Sequence, residues 1–149
     1  MKKDKIIFEH LRHSKFDIDK FENVKNNTIT NIKDKPIDGG LWASPINSNY
    51  SWRKVFSGMD NWEKNNSFKF SISDDAKILC IDSLEKINLI PKKYIISYDE
   101  ELFLDFEKIS KEFDAIFFSP SKDDRLYKIM PHWECDSILI FNPNIIELI

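Results

Sequence analysis

The chain has 149 residues, of which 42% are hydrophobic and 13% aromatic, so it is long enough for one packed core and too apolar for a disordered segment. Its 22 basic and 25 acidic side chains give a formal net charge of -3, without the basic excess typical of proteins that bind nucleic acid through its phosphates. No stretch approaches the ~20 apolar residues that cross a bilayer, and the first residues lack the apolar run of a signal peptide. We therefore expect one cytoplasmic domain over residues 1–149 that makes no membrane contact.

The first half of the chain is predicted to contain short strands around a glycine pair. The apolar residues 5–8 predict a first strand, and the polar stretch 17–38 predicts a long surface connection. The adjacent glycines at 39–40 mark a sharp turn or a close backbone approach, because glycine accepts conformations that other residues avoid. Residues 41–44 then predict a second strand, and the aromatic residues within 48–56 predict a helix.

Alternation and periodicity predict the elements of the second half. Residues 67–73 place apolar side chains on one face of a strand, and 77–82 predict a second strand that pairs with it as a hairpin. Apolar residues three and four apart within 100–113 predict a helix. Further strands are predicted in three later segments: 115–119, 125–130 and 137–141. Together these elements predict a mixed α+β domain dominated by short strands.

Three segments join a predicted strand to polar or aromatic groups, and function in strand-rich domains lies at strand ends. They are residues 9–13, 39–52 and 133–136. Glu134 and Asp136 are two apart, so both carboxylates point the same way if they lie in a strand. One carboxylate is then able to orient a substrate while the other stabilises developing positive charge. Exposed acid pairs are also common at solvated strand ends, and the spacing leaves that simpler interpretation open.

In order and character, these segments resemble the ADP-ribosyltransferase fold, the NAD-cleaving domain of diphtheria-type toxins and poly(ADP-ribose) polymerases. Gly-Leu-Trp-Ala-Ser at 40–44 is similar to the family's Gly-hydrophobic-aromatic strand, and Ser-Asn-Tyr at 48–50 is similar to the start of its helix. The two acids of Glu-Cys-Asp at 134–136 match the family's Glu-x-Glu spacing. The resemblance covers residues 5–56 and 131–149. It implies an α+β fold of two packed, mostly antiparallel β-sheets with a few helices.

The resemblance implies that NAD is bound as the substrate, with no metal. His10 would hydrogen-bond the adenosine-side ribose, and the backbone around Leu11 would bind the nicotinamide amide. Trp42 and Tyr50 would enclose the nicotinamide ring, with Trp52 as the alternative to Tyr50. A flat aromatic pair holds such a ring without adding charge to it.

The resemblance also implies the residues of the reaction. Ser48 would hydrogen-bond the nicotinamide carboxamide, Asp136 would be the catalytic acid at the ribose 2′-hydroxyl, and Glu134 would contact the acceptor. The reaction would transfer ADP-ribose to a macromolecule, a protein first and nucleic acid second, as in a toxin, an effector or a phage-encoded modifier. Asp136 departs from the family's glutamate by one methylene, which shortens its reach.

Other interpretations of the same residues stay open. His10 with His13 and His132 with Cys135 have spacings that also occur in zinc sites. Trp42 is equally suited to core packing. The main alternative function is a non-enzymatic protein-binding module, of the inhibitor or immunity type, that uses an aromatic surface with a polar rim.

Overall fold

The computed structural model describes residues 5–11, 15–27, 34–55, 67–98 and 101–149. The strands are β1 (Phe8–Leu11), β2 (Leu41–Pro45), β3 (Ser67–Ile72), β4 (Ile78–Ile81), β5 (Ile95–Tyr98), β6 (Glu101–Leu104), β7 (Ala115–Phe118), β8 (Ser137–Ile140) and β9 (Ile146–Leu148). The α-helices are short: α1 (Trp52–Val55), α2 (Leu84–Asn88), α3 (Phe106–Glu112) and α4 (Leu126–Ile129). Single 3₁₀ turns lie at Ile18–Lys20, Lys92–Tyr94, Pro120–Lys122 and Pro143–Ile145.

The strands form a seven-stranded sheet, in the order β4-β7-β8-β2-β1-β3-β9, and a separate two-stranded sheet of β5 and β6. Every pairing is antiparallel except that of β4 with β7. The large sheet divides at β2. Leu41 to Ala43 pair with β8, whereas Ser44 and Pro45 pair with β1. The coarse fold prediction, a mixed domain of mostly antiparallel strands with few helices, is therefore confirmed.

Apolar side chains cover both faces of the central strands, because successive residues of a strand point to opposite faces. Along β8, Leu139 belongs to one buried cluster while Ile138 and Ile140 belong to another. The first cluster contains Trp133, which is 1% exposed, together with buried residues of α3 and α4. The second is smaller and includes Phe70, which is fully buried. No helix within the described ranges is long and apolar enough to cross a membrane.

Most predicted strands are confirmed, although their first and last residues differ from the predicted ones. The first strand lies at 8–11 rather than 5–8, and the predicted helix over 48–56 is reduced to Trp52–Val55, with Phe56 outside the described residues. The glycine pair has positive φ values of 83° and 75°, and the Asn23 carbonyl lies close against Gly39, which confirms the second of the two predicted roles, a close backbone approach.

Three predictions of the second half are wrong. β3 and β4 do not form a hairpin, because β3 pairs with β1 and β9 while β4 pairs with β7. The first part of the predicted helix over 100–113 is strand β6, and the helix itself begins at Phe106 after its cap Asp105. The segment predicted as a strand at 125–130 forms helix α4.

Candidate functional site

Strands β1 and β2 separate toward one end, and the gap between them forms the candidate site. Their antiparallel ladder ends where Glu9 pairs with Ser44. Beyond this pair, β1 continues to pair with β3, and β2 continues to pair with β8. The two strands therefore diverge from His10 and Ala43 onward.

A cavity of about 240 Å³ lies in this gap. Four of the predicted cofactor-binding residues line it together: His10, Leu11, Trp42 and Trp52. Its volume is close to the lower end of ligand pockets, about 300 Å³, so it is suited to one ring with its sugar rather than a whole dinucleotide. We call this space the main cavity of the site; a separate cavity of about 270 Å³ lies between α2, β6 and α4 and is lined by Ile87, Phe103 and Met130.

His10 bridges the diverging strands through its side chain. Its Nδ1 lies 2.6 Å from the carbonyl oxygen of Trp42. A carbonyl oxygen only accepts, so Nδ1 carries the proton and donates it to this bond. The imidazole is buried, with 8% of His10 exposed. The bond fixes the ring at the wall of the main cavity where the backbone ladder has ended.

Trp42 and Trp52 give the main cavity two half-buried aromatic walls. Trp42 packs edge-on against Trp133, with ring centroids 4.7 Å apart, so it contributes to the core as well as to the cavity. The indole Nε1 of Trp52 donates to Ser137 Oγ at 2.9 Å, and its backbone N–H donates to Ser44 Oγ at 3.0 Å. Both rings are thus held in place before any ligand enters.

Lys35 adds a cation that the sequence prediction missed. Its Nζ lies 5.4 Å from the centroid of the Trp42 ring and 6.0 Å from that of Trp52, within the range of cation–π attraction. Burial lowers the pKa of the Lys35 ammonium, and the negative charges of Asp34 and Glu134 partly oppose this shift. Its only signal in the sequence was a lysine within a polar connection, which is too common to single out a site.

A second cavity, of about 30 Å³, adjoins the main one and is about the size of a water molecule. The two cavities share Lys35, Trp42 and Trp52, and the second also reaches the exposed Glu134 and the buried Cys135. Burial raises the pKa of the Cys135 thiol to about 12, so the thiol is protonated at neutral pH and does not act as a nucleophile. Of the two predicted catalytic residues, Glu134 is thus the one that lines the second cavity, next to the main cavity.

Asp136, the other predicted catalytic residue, lines neither of these two cavities and is 4% exposed. Its carboxylate accepts three hydrogen bonds: from Ser48 Oγ at 2.6 Å, from Ser121 Oγ at 2.5 Å and from Ser121 N–H at 3.0 Å. Its backbone N–H donates to the carbonyl oxygen of Tyr50 at 3.0 Å. Asp136 therefore has the surroundings of a structural anchor that joins three loops.

The structure also separates Ser48 and Tyr50 from the two cavities. The Ser48 hydroxyl is occupied by Asp136 and by the backbone N–H of Tyr50. The Tyr50 side chain is 46% exposed and lines neither cavity, whereas Trp52, its predicted alternative, lines both. Geometry thus favours Trp52 over Tyr50 as the second aromatic wall.

Glu9 closes the side of the main cavity next to the β1–β2 ladder. Its carboxylate accepts a bidentate pair of hydrogen bonds from Arg53, with Nε to Oε1 and Nη2 to Oε2 both at 2.8 Å. The Arg53 guanidinium holds the pKa of Glu9 below its ordinary value, against the opposing effect of burial. The pair ties β1 to α1 and so to Trp52.

We expect Arg53→Met to lower the free energy of unfolding by about 2 kcal/mol at pH 7, because it leaves the buried Glu9 carboxylate without its charged partner. In the folded wild type the pKa of Glu9 is depressed, so its contribution is present above its ordinary pKa of 4.5 and is lost as pH falls through the folded-state pKa. The stability difference between wild type and variant should therefore shrink as the pH falls below 4.5 and through the lowered folded-state pKa of Glu9. Urea unfolding at pH 7 and pH 3.5 measures it.

Lys93→Met is the matched control, since it breaks an exposed ion pair with Glu112. It should change stability little at either pH. An Arg53→Met difference that is small at pH 7, or that grows in acid, would contradict the role given to the Glu9–Arg53 pair.

Within the described ranges, no group of three or more His, Cys, Asp or Glu side chains is arranged to hold a metal ion. His13, part of the zinc-like spacing, lies outside those ranges. No protein-family model matches the chain, and neither the curated proteins nor the solved structures include a significant match to it.

Proposed function

We propose that the protein binds the nicotinamide end of NAD in the main cavity and transfers ADP-ribose to a protein acceptor, with release of nicotinamide. One observation carries the proposal: His10, Leu11, Trp42 and Trp52, which the resemblance to ADP-ribosyltransferases implies as NAD contacts, line a single cavity. The division of the large sheet at β2 opens this cavity.

The residues around the cavity suit the chemistry of the transfer. The bond between the ribose C1′ and the nicotinamide nitrogen breaks, and its electron pair leaves with the nitrogen, so the ring becomes neutral. Positive charge develops on the ribose, as in glycoside hydrolysis, and a nearby carboxylate stabilises it. The acceptor nucleophile then forms a bond to C1′ and loses its proton.

Glu134 takes the role of the stabilising carboxylate in this proposal, because it lines the second cavity, which adjoins the main one, and Asp136 lines neither. Asp136 becomes a positioning residue that holds the turn bearing Glu134. Trp42 and Trp52 bind the planar ring, and the hydrogen bond from His10 keeps the Trp42 strand in place.

The alternative, a protein-binding module with an aromatic surface, has less support. Among the described large hydrophobic residues, Tyr50 is the one aromatic side chain that is exposed. The tryptophans of the site are half-buried walls of a cavity instead. A concave aromatic site suits a small planar ligand better than a flat protein surface.

The test is nicotinamide release from NAD in a bacterial lysate that supplies acceptors. Wild type is expected to release nicotinamide, and Glu134→Gln should lower the rate by about 100-fold or more while leaving NAD binding intact. Trp52→Ala should weaken NAD binding through the loss of the second aromatic wall.

Glu112→Gln, at an exposed glutamate on α3, is the matched control and should release nicotinamide like wild type. If wild type releases none in several lysates and NAD does not raise its melting temperature, the transferase proposal fails. The protein-binding module is then the better interpretation.

A further inference from the structure

Lys35 lies where the two cavities of the site meet. It lines both of them, together with the rings of Trp42 and Trp52. Nothing in the transfer chemistry described above uses this lysine. A half-buried ammonium at such a place is expected either to be neutralised by a carboxylate or to face a ligand.

No carboxylate among the described residues lies within 4.0 Å of the Lys35 ammonium. The negative charges of Asp34 and Glu134 act on Lys35, but neither carboxylate forms an ion pair with it. Asp34, the neighbour in the chain, and Glu9, which lines the main cavity with Lys35, have other partners. Asp34 pairs with His132, at 2.7 Å between Oδ1 and Nδ1, and Glu9 pairs with Arg53. The charge of Lys35 is therefore available to a ligand, and burial makes its neutralisation by an anion more favourable.

Hydrogen bonds to Asp34 and the ring of Pro36 hold the backbone on either side of Lys35 in place. The Asp34 carboxylate accepts the backbone N–H of His132 at 3.0 Å, and the Asp34 carbonyl oxygen accepts the indole N–H of Trp133 at 2.5 Å. Pro36 follows, and its ring restricts the backbone on the other side. A fixed backbone reduces the conformational freedom that the lysine loses when a ligand binds.

We propose that Lys35 binds the phosphate of a ligand whose planar ring lies against Trp42 and Trp52. This inference rests on the proposed function for the identity of the ring, and it adds that the site selects phosphorylated nucleosides over their phosphate-free forms. The ammonium donates charge-assisted hydrogen bonds to the phosphate oxygens, which are stronger than neutral ones.

The experiment compares ligands that differ only by a phosphate, with binding measured by quenching of tryptophan fluorescence. The pairs are nicotinamide mononucleotide with nicotinamide riboside, and adenosine 5′-monophosphate with adenosine. We expect the wild type to bind at least one phosphorylated member about tenfold or more tightly than its partner. Lys35→Met should abolish this preference and Lys35→Arg should retain it.

Lys77→Met is the matched control. Lys77 also lies over an aromatic ring, with its Nζ 4.9 Å from the centroid of Phe113, but it lines neither cavity. Its loss should leave the phosphate preference unchanged, and thermal unfolding of each variant verifies that the fold is intact.

The outcomes separate this inference from the proposed function. A Lys35-dependent phosphate preference without nicotinamide release from NAD would support the phosphate site and contradict the transferase. Nicotinamide release with the same KM for NAD in wild type and folded Lys35→Met would contradict the phosphate site and leave the transferase standing. A wild type that shows no preference for either phosphorylated ligand would also overturn the inference.

Discussion

Replacing Asp136 by alanine is expected to lower the free energy of unfolding by about 4 kcal/mol, because it removes a buried acceptor from several donors at once. The carboxylate is 4% exposed and accepts from Ser48 and twice from Ser121. These donors belong to different loops, so their loss also loosens the connection between them. Urea denaturation of the wild type and the variant measures the change.

Replacing Asp136 by asparagine removes the negative charge but keeps the size of the side chain, so it separates these two effects. Asp136→Asn keeps an oxygen for the Ser121 N–H, and the serine hydroxyls are able to rotate and accept from the new amide. We expect it to lose about 1 kcal/mol of unfolding free energy. Asp124→Ala, at an exposed aspartate nearby, is the control and should stay within about 0.5 kcal/mol of wild type.

The same asparagine variant tests which acid acts in the reaction. If Glu134 stabilises the ribose cation, Asp136→Asn should lower nicotinamide release far less than Glu134→Gln does. A folded Asp136→Asn protein that has lost release, beside an active Glu134→Gln protein, would restore the catalytic role that the resemblance implies for Asp136. The melting temperature of each variant has to be measured first, because an unfolded protein is inactive for either reason.

Local patterns of apolar residues predicted most of the strands, but they did not predict which strands pair with one another. The residues of β3 and β4 lie on either side of a short turn, so a hairpin was the simplest expectation. The structure instead pairs β4 in parallel with β7, after a crossover that contains α2, the β5–β6 sheet and α3. Such a partner lies far along the chain, and no local signal specifies it.

The helix predicted over 100–113 shows how pairing with the preceding strand overrides a local helical period. Leu102 and Phe103 fit the helical spacing of Phe106 and Ile109. They lie instead in β6, because the strand Ile95–Tyr98 pairs with them. Asp105 then starts the helix, since its Oδ1 accepts the backbone N–H of Lys108 at 3.1 Å. Asp105 before Phe106 is a helix N-cap signal, but the helical spacing of the apolar residues extended the predicted helix past it.

The candidate site was predictable in part for a similar reason. Trp42 lies on a strand that the sequence identified, and His10 follows the segment predicted as the first strand, so their convergence needed that strand to extend to Leu11 and to lie beside β2. The burial of Asp136 depends on Ser121, which follows a different strand, and was not predictable from the Glu-x-Asp spacing. Lys35 lies in a polar connection, where its contact with two tryptophans arises from tertiary structure.

Gly39→Ala is expected to destabilise the protein by about 4 kcal/mol, because the substitution adds a backbone clash to an unfavourable φ. Gly39 has φ of +83°, and a Cβ there would lie 2.0 Å from the carbonyl oxygen of Asn23. Backbone cannot swing aside as a long side chain can. The clash would push Asn23 away from the turn that leads into β2 and Trp42, so ligand binding in the main cavity should weaken as well.

Two further variants test whether the positive φ or the clash at Cβ causes most of the destabilisation of Gly39→Ala. Asn tolerates positive φ better than Ala, so Gly39→Asn would recover stability if conformation alone were at fault. Because the clash occurs at Cβ, which both residues have, we expect Gly39→Asn to be as destabilised as Gly39→Ala. Gly40→Ala should be milder, since its Cβ would meet the end of the Leu139 side chain at 2.7 Å. Equal stability of Gly39→Asn and wild type in urea denaturation would refute the close approach of Asn23.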